Sequence, residues 1–160
     1  MIIVSDTSPL NYLVLVDVVE VLPKLFGEVH VPVQVMQELR HPHAPSQVSN
    51  WAFTPPEWLR IQTLTDMPID DRLDPGEACA IALAQQLKAE AILIDERQGR
   101  LIAKEHGLAT IGTITVLELA AEQDLIDLPS AFAALRQTTF RITDVLIEAA
   151  LQRDADRRKN

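Results

Sequence analysis

Apolar residues follow two rhythms along this chain. Ile2-Ile3-Val4 is a continuous apolar run ending at Ser5-Asp6, the pattern of a strand covered on both faces. Ser8-Pro9 then supplies a capping residue and a first-turn proline. Apolar positions fill Leu10 to Leu25, which predicts two short helices broken near Asp17. Gly27 ends the second, and Val29-His30-Val31 reads as a short strand. Pro32 opens a predicted helix over 33–40, closed by Pro42 and Pro45. A helix over 47–53 and a strand over 59–64 follow. Asp74-Pro75-Gly76-Glu77 begins a helix predicted to reach Lys88. Residues 90–94 predict a buried strand ending at Asp95, and a helix over 98–105 stops at Gly107. Ala109-Thr110-Ile111 predicts a further buried strand before Gly112-Thr113. Helices over 115–123, 129–137 and 141–153, then a charged tail, complete the expectation.

Strands alternate with helices before the chain becomes wholly helical, which predicts an α/β fold with a parallel sheet covered on both faces. Right-handed crossovers place the carboxyl ends of such strands on one edge, where ligands of open α/β sheets bind. Asp6 and Asp95 each follow a buried strand, so topology brings both carboxylates to that edge, and Gly112 and Thr113 reach it as well. Glu38 lies three residues after Val35, at the margin of a helix's apolar face. Glu77 lies in the first turn of the helix preceding the Asp95 strand. Three or four carboxylates on one edge repel one another unless a divalent cation joins them. Oxygen-only ligands favour Mg²⁺ or Mn²⁺ over zinc, and such ions serve phosphodiester hydrolysis.

The same residues carry plainer readings. Asp6 and Ser8 suit a helix cap. Asp95 suits a turn, and Glu38 a solvated helix face. Asp74-Pro-Gly-Glu77 has capping-box spacing, a role that is compatible with a site role for Glu77. Asp66, Asp70, Asp71 and Asp74 read as a solvated acidic loop. Glu96, beside Asp95, is a candidate to support the acids from behind. Arg97, Arg100 and Lys104 share one helical face: either an exposed face pairing with nearby acids or a row holding substrate phosphates. Arg40 is placed to do the same beside Glu38.

Composition narrows the field. The chain has 160 residues, 48% of them hydrophobic, enough for one folded core. The net charge of −9, from 23 acids against 14 bases, argues against a nonspecific basic nucleic-acid surface, though not against a nuclease that works through a cation. Only 4% of residues are aromatic, so phosphate contacts rather than base stacking are expected. No apolar run approaches the roughly 18 residues of a membrane span, and the first residues lack the pattern of a secretory signal. A single cysteine, Cys79, excludes an internal disulfide framework. The expectation is a soluble, cytoplasmic protein without a membrane partner.

Ile3-Val4-Ser5-Asp6-Thr7-Ser8 resembles the start of a PIN domain. So do an acid on the third helix (Glu38), the run Asp74 to Ala78, Leu93-Ile94-Asp95-Glu96 with Gly99-Arg100, and Ile111-Gly112-Thr113. The resemblance is to the branch that includes toxins of type II toxin–antitoxin pairs. It covers residues 1–125, with 126–160 as a helical extension on or beside the same domain. It implies a three-layer α/β/α sandwich with a mostly parallel sheet of about four to five strands. It also implies Mg²⁺- or Mn²⁺-dependent cleavage of RNA, a small antitoxin partner and a homodimer or higher oligomer. Asp6, Glu38, Glu77 and Asp95 would be the acidic quartet that holds metal and carries catalysis, with Ser8, Thr113 and Glu96 in support. Arg97, Arg100, Lys104 and Arg40 would contact RNA. Many PIN toxins have Asp where this chain has Glu77. Two other classes compete: a phosphotransfer or phosphatase domain with Asp6 as nucleophile, weakened because Thr7 and Ser8 follow it, and a metal- or partner-binding PIN-like protein without catalysis.

Overall fold

The computed structural model describes residues 1–160. Strand β1 (Ile3–Ser5) is fully buried, and helix α1 (Thr7–Leu15) starts two residues after it. Asp17, at φ 60°, turns the chain toward α2 (Val21–Phe26), and Gly27, at φ 77°, turns it into β2 (Val29–Pro32). Helices α3 (Val33–Leu39) and α4 (Ser46–Phe53) lead to β3 (Leu59–Gln62). Helix α5 (Pro75–Leu87), β4 (Ala91–Leu93), α6 (Arg97–Glu105) and β5 (Ala109–Ile111) follow, then α7 (Thr113–Glu122), α8 (Leu128–Arg136) and α9 (Asp144–Lys159).

The five strands form one sheet in the order β3-β2-β1-β4-β5, every neighbouring pair parallel. The chain starts in the middle, builds outward to β3, then crosses back to β4 and builds the other way. The order therefore reverses between β1 and β4, and the crevice outside their carboxyl ends is the switch point where open α/β sheets take ligands. Asp6 and Asp95 lie just past those two ends. The Asp6 backbone N–H donates to the Leu93 carbonyl at 2.9 Å, so the two exits are tied together.

Right-handed crossovers account for α5 packing on β1, β2 and β4 and touching α6, while α7 packs against α1 and α2. Burial of one continuous apolar cluster holds these layers. That cluster includes Leu10, Leu13, Val14, Val21 and Leu22, so the apolar run from Leu10 to Leu25 is largely buried in the protein's own core. Phe132, Leu135, Ile147 and Ala150 of the last two helices join the same cluster.

Three local expectations differ. Helix α1 begins at Thr7, so Ser8 lies inside it rather than capping it, and Asp6 occupies the N-cap position without a side-chain cap bond. Strand β5 is a partly exposed edge rather than a buried run. Helix α9 continues through the charged tail to Lys159. Asp154 is buried and pairs with Arg157 and, at 3.2 Å, with Arg158. With Arg157, Arg158 and Lys159 in the last turn, the helix dipole is complemented at its carboxyl end.

Candidate functional site

At the switch point lies a cleft of about 290 Å³ lined by Asp6, Thr7, Ser8, Asn11, Tyr12, Glu38, Asp74, Glu77 and Glu96. Five of these nine are acids. Strand β1 delivers Asp6, α3 delivers Glu38, and the start of α5 delivers Asp74 and Glu77. Two carboxylate oxygens, Asp6 Oδ1 and Glu77 Oε2, are buried with no hydrogen-bond partner. A buried, unpartnered anionic oxygen is costly.

The Asp74-Pro75-Gly76-Glu77 segment shows how a cap and a site coexist. The Asp74 carboxylate accepts the Glu77 N–H at 2.8 Å, and Glu77 Oε1 accepts the Asp74 N–H at 3.4 Å, a complete capping box. That arrangement engages one oxygen of Glu77 and leaves the other buried without a partner. Gly76 has no side chain where a Cβ would collide with the Glu38 carboxylate, and a Cβ on Gly99 would come within 2.8 Å of Glu77 Oε2. The glycines of both short motifs therefore make room for acids. The Thr7 hydroxyl donates to Glu38 Oε2.

Burial, reinforced by like charge, raises the pKa values of these acids. Burial pushes Asp6 well above the usual carboxylate range, opposed by the Thr7 backbone N–H and reinforced by the charges of Glu77, Asp74 and Glu38. Burial likewise raises Glu38, opposed by the Thr7 hydroxyl and reinforced by Asp74. Glu77 rises from the ordinary 4.5 to about 7, first through burial and then through Asp74. Desolvation and like charge favour the neutral acids.

Asp95 stands apart. Ser8 Oγ donates to its Oδ2 at 2.9 Å, the Thr113 backbone N–H to its Oδ1 at 2.7 Å, and the Thr113 hydroxyl to its Oδ2 at 2.7 Å. It lines a second cleft, of about 390 Å³, with Ser8, Tyr12, Glu96, Arg97, Arg100, Thr139, Phe140 and Arg141. Of the acids expected together, the structure thus gathers Asp6, Glu38 and Glu77 in one cleft and sets Asp95 next door, across Ser8. Glu96 borders both clefts. Of the expected RNA-contacting row, Arg97 and Arg100 line the second cleft. Lys104 lines neither, and Arg40 donates to the Ala52 carbonyl at 2.9 Å beneath the Phe53 ring.

Asp74 belongs to the acidic stretch that reads as a solvated loop, but the capping box that its spacing to Glu77 also predicts fixes it beside the acids. Two further lining residues carry no local sequence signal: Tyr12, one turn after Ser8 on α1, and Arg141, which only the packing of the α8–α9 connection against α1 brings to the second cleft. No three or more His, Cys, Asp or Glu side chains are grouped so as to hold a metal ion. The two orphaned oxygens are both carboxylate, the donor type that hard cations take. Mg²⁺ is commonly held by one or two carboxylates, with water and substrate phosphate completing its shell.

A family model described as a PIN domain matches residues 2–156. The chain belongs to the PIN-domain family. No curated protein and no solved structure matches it. Membership of the PIN family accords with the parallel sheet flanked by helices and suggests a nuclease-like function; the match extends through the helices of the C-terminal segment. No helix of this PIN protein is long and apolar enough to cross a membrane.

Proposed function

We propose that this PIN domain binds a divalent cation, Mg²⁺ or Mn²⁺, in the acidic cleft and uses it in hydrolysis of RNA phosphodiester bonds. The observation that supports this reading best is that Asp6 and Glu77, two of the five acids lining the cleft, each have a buried, unpartnered oxygen, Asp6 Oδ1 and Glu77 Oε2. A bound cation would supply charge neutralisation and an acidified water. Asp6 and Glu77 would hold it, and Glu38, steadied by Thr7, would orient water within the cleft. Asp95 would act from outside, fixing Ser8 on α1 and Thr113 on α7 through its three hydrogen bonds.

A second reading, a metal- or partner-binding PIN protein without catalysis, asks less of the geometry. It is favoured by the lack of a three-ligand group and by the engagement of Asp95 with Ser8 and Thr113. The toxin role, with a small antitoxin, a homodimeric state and a cytoplasmic setting, is supported by the family resemblance alone.

The deciding experiment incubates RNA with purified protein and Mn²⁺, with EDTA and Asp6→Asn as controls. Cleavage that EDTA and Asp6→Asn both stop, leaving 3′-hydroxyl and 5′-phosphate ends, carries the nuclease reading. Ends bearing 2′,3′-cyclic phosphate would mean attack by the RNA's own hydroxyl and would sink it. Mn²⁺ binding without cleavage would establish the second reading.

A further inference from the structure

The chain has ten arginines. Six of them, Arg60, Arg72, Arg136, Arg153, Arg157 and Arg158, are in ion pairs. Arg40 is held by the Ala52 carbonyl and the Phe53 ring. The remaining three, Arg97, Arg100 and Arg141, have neither an ion pair nor a side-chain hydrogen bond, and all three line the second cleft. In a protein with 23 acids and 14 bases, three uncommitted guanidinium groups around one cleft leave a local excess of positive charge. Of the two acids on the same cleft, Asp95 is already engaged by three donors.

The cleft is built from distant parts of the chain. Arg97 and Arg100 come from the first turn of α6, and Arg141 from the connection between α8 and α9. That connection is fastened to α1 by Tyr12 and Thr139, whose hydroxyls lie 2.9 Å apart, and by Tyr12 and Phe140, whose rings meet edge to face at 4.9 Å. The basic cleft adjoins the acidic one, because Ser8, Tyr12 and Glu96 line both.

We propose that this cleft is a phosphate subsite for single-stranded RNA. Arg97, Arg100 and Arg141 hold a phosphate flanking the one presented to the acids, and the Tyr12–Phe140 wall lies against the neighbouring base. The proposal rests on the nuclease reading for its choice of RNA. Guanidinium groups match phosphate oxygens with paired donors, and an aromatic wall offers a base a stacking face. A repeating phosphate chain accounts for a basic cleft and a cation-requiring acidic cleft lying side by side; an acidic peptide accounts only for the first. The C-terminal segment, through Arg141 and Phe140, is thereby part of the binding site.

The test is binding, measured apart from cleavage. Fluorescence anisotropy of a short labelled single-stranded RNA is followed in EDTA over a salt series. The proteins compared are wild type, Arg97→Gln, Arg100→Gln, Arg141→Gln, the triple variant, and Arg60→Gln as an ion-paired control. Each cleft variant should bind several-fold more weakly. Its slope of log K against log salt should shrink by about 0.7 per arginine removed, and by about 2 in the triple variant. Arg60→Gln should match wild type. No RNA binding by wild type, an unchanged slope in the triple variant, or arginine-dependent binding of an Asp/Glu-rich peptide in place of RNA each overturns the subsite. Arginine-dependent RNA binding with no cleavage in Mn²⁺ keeps the subsite and discards the nuclease reading. Cleavage that ignores the three arginines does the reverse.

Discussion

The carboxylate of Asp95 holds Thr113 at two points, taking its backbone N–H on one oxygen and its hydroxyl on the other, each at 2.7 Å. Helix α7 has Gly112 at its N-cap and so no cap of its own. Asp95, arriving from β4, supplies that cap from across the sheet edge, where a negative charge also suits the helix dipole. Ser8 on α1 completes the arrangement. Asp95 therefore stabilises the junction of α1, β4 and α7, whereas Asp6 and Glu77 crowd one another.

That contrast predicts opposite effects from similar substitutions. Asp95→Ala removes a cap and leaves its donors unpaired, so urea unfolding should show a loss of about 0.5–2 kcal/mol. Asp95→Asn, which keeps an acceptor, should lose less. In EDTA, above the Glu77 pKa, Asp6→Asn and Glu77→Gln relieve repulsion and should unfold at higher urea than wild type. Equal midpoints for all four variants would refute the division.

Stability of the metal-free protein should depend on pH with a definite sign. Glu77 has a folded-state pKa of about 7 against an ordinary 4.5, so the folded state retains a proton that the unfolded chain releases. The contribution is fully present below about 4.5 and is lost as pH rises through about 7. The raised Asp6 and Glu38 act in the same direction. Melting curves in EDTA should fall across that window, and Glu77→Gln should flatten the fall. A wild-type melting temperature that rises over the same interval contradicts the assignment.

Mn²⁺ should reverse this loss. A cation that binds only the folded state adds about 2.7 kcal/mol at a hundredfold excess over its Kd. The melting temperature of wild type should therefore climb through a Mn²⁺ titration. The climb should vanish in Asp6→Asn and shrink in Glu77→Gln. A climb of the same size in Asp6→Asn would place the ion elsewhere.

Gly76→Ala tests the fit between α5 and Glu38. The added Cβ would collide with the Glu38 carboxylate, the mobile end of a long side chain, so the fold should survive while Glu38 is displaced. Circular dichroism should stay native, and the Mn²⁺-induced rise in melting temperature should diminish. An unchanged metal response would show that Glu38 is not needed in that position.

The alternation of apolar strands and helices was legible in the sequence because its causes are local. Buried runs such as Ile92-Leu93-Ile94 and punctuation by Gly27, Pro32, Pro75 and Gly107 act over a few residues. Parallel topology then implies that Asp6 and Asp95 leave neighbouring strands at one edge, and the capping box places Asp74 beside Glu77. Which way each carboxylate faces was not legible. Ser8 reads in the sequence either as a cap or as a hydrogen-bonding support near Asp6, and the structure makes it a donor to Asp95 at 2.9 Å. The apolar series from Leu10 to Leu25 has the same pattern whether it meets a partner or its own sheet, and only the packed core distinguishes the two. Arg141 lies far along the chain from Arg97 and Arg100, in a connection with no local signal. The tertiary structure alone brings the three together, because the position of that connection depends on the packing of α8 and α9 against α7 and on the contact of Phe140 with Tyr12. Sequence rhythm determined the elements and the edge they share. Side-chain packing across distant elements separated the acidic cleft from the basic one.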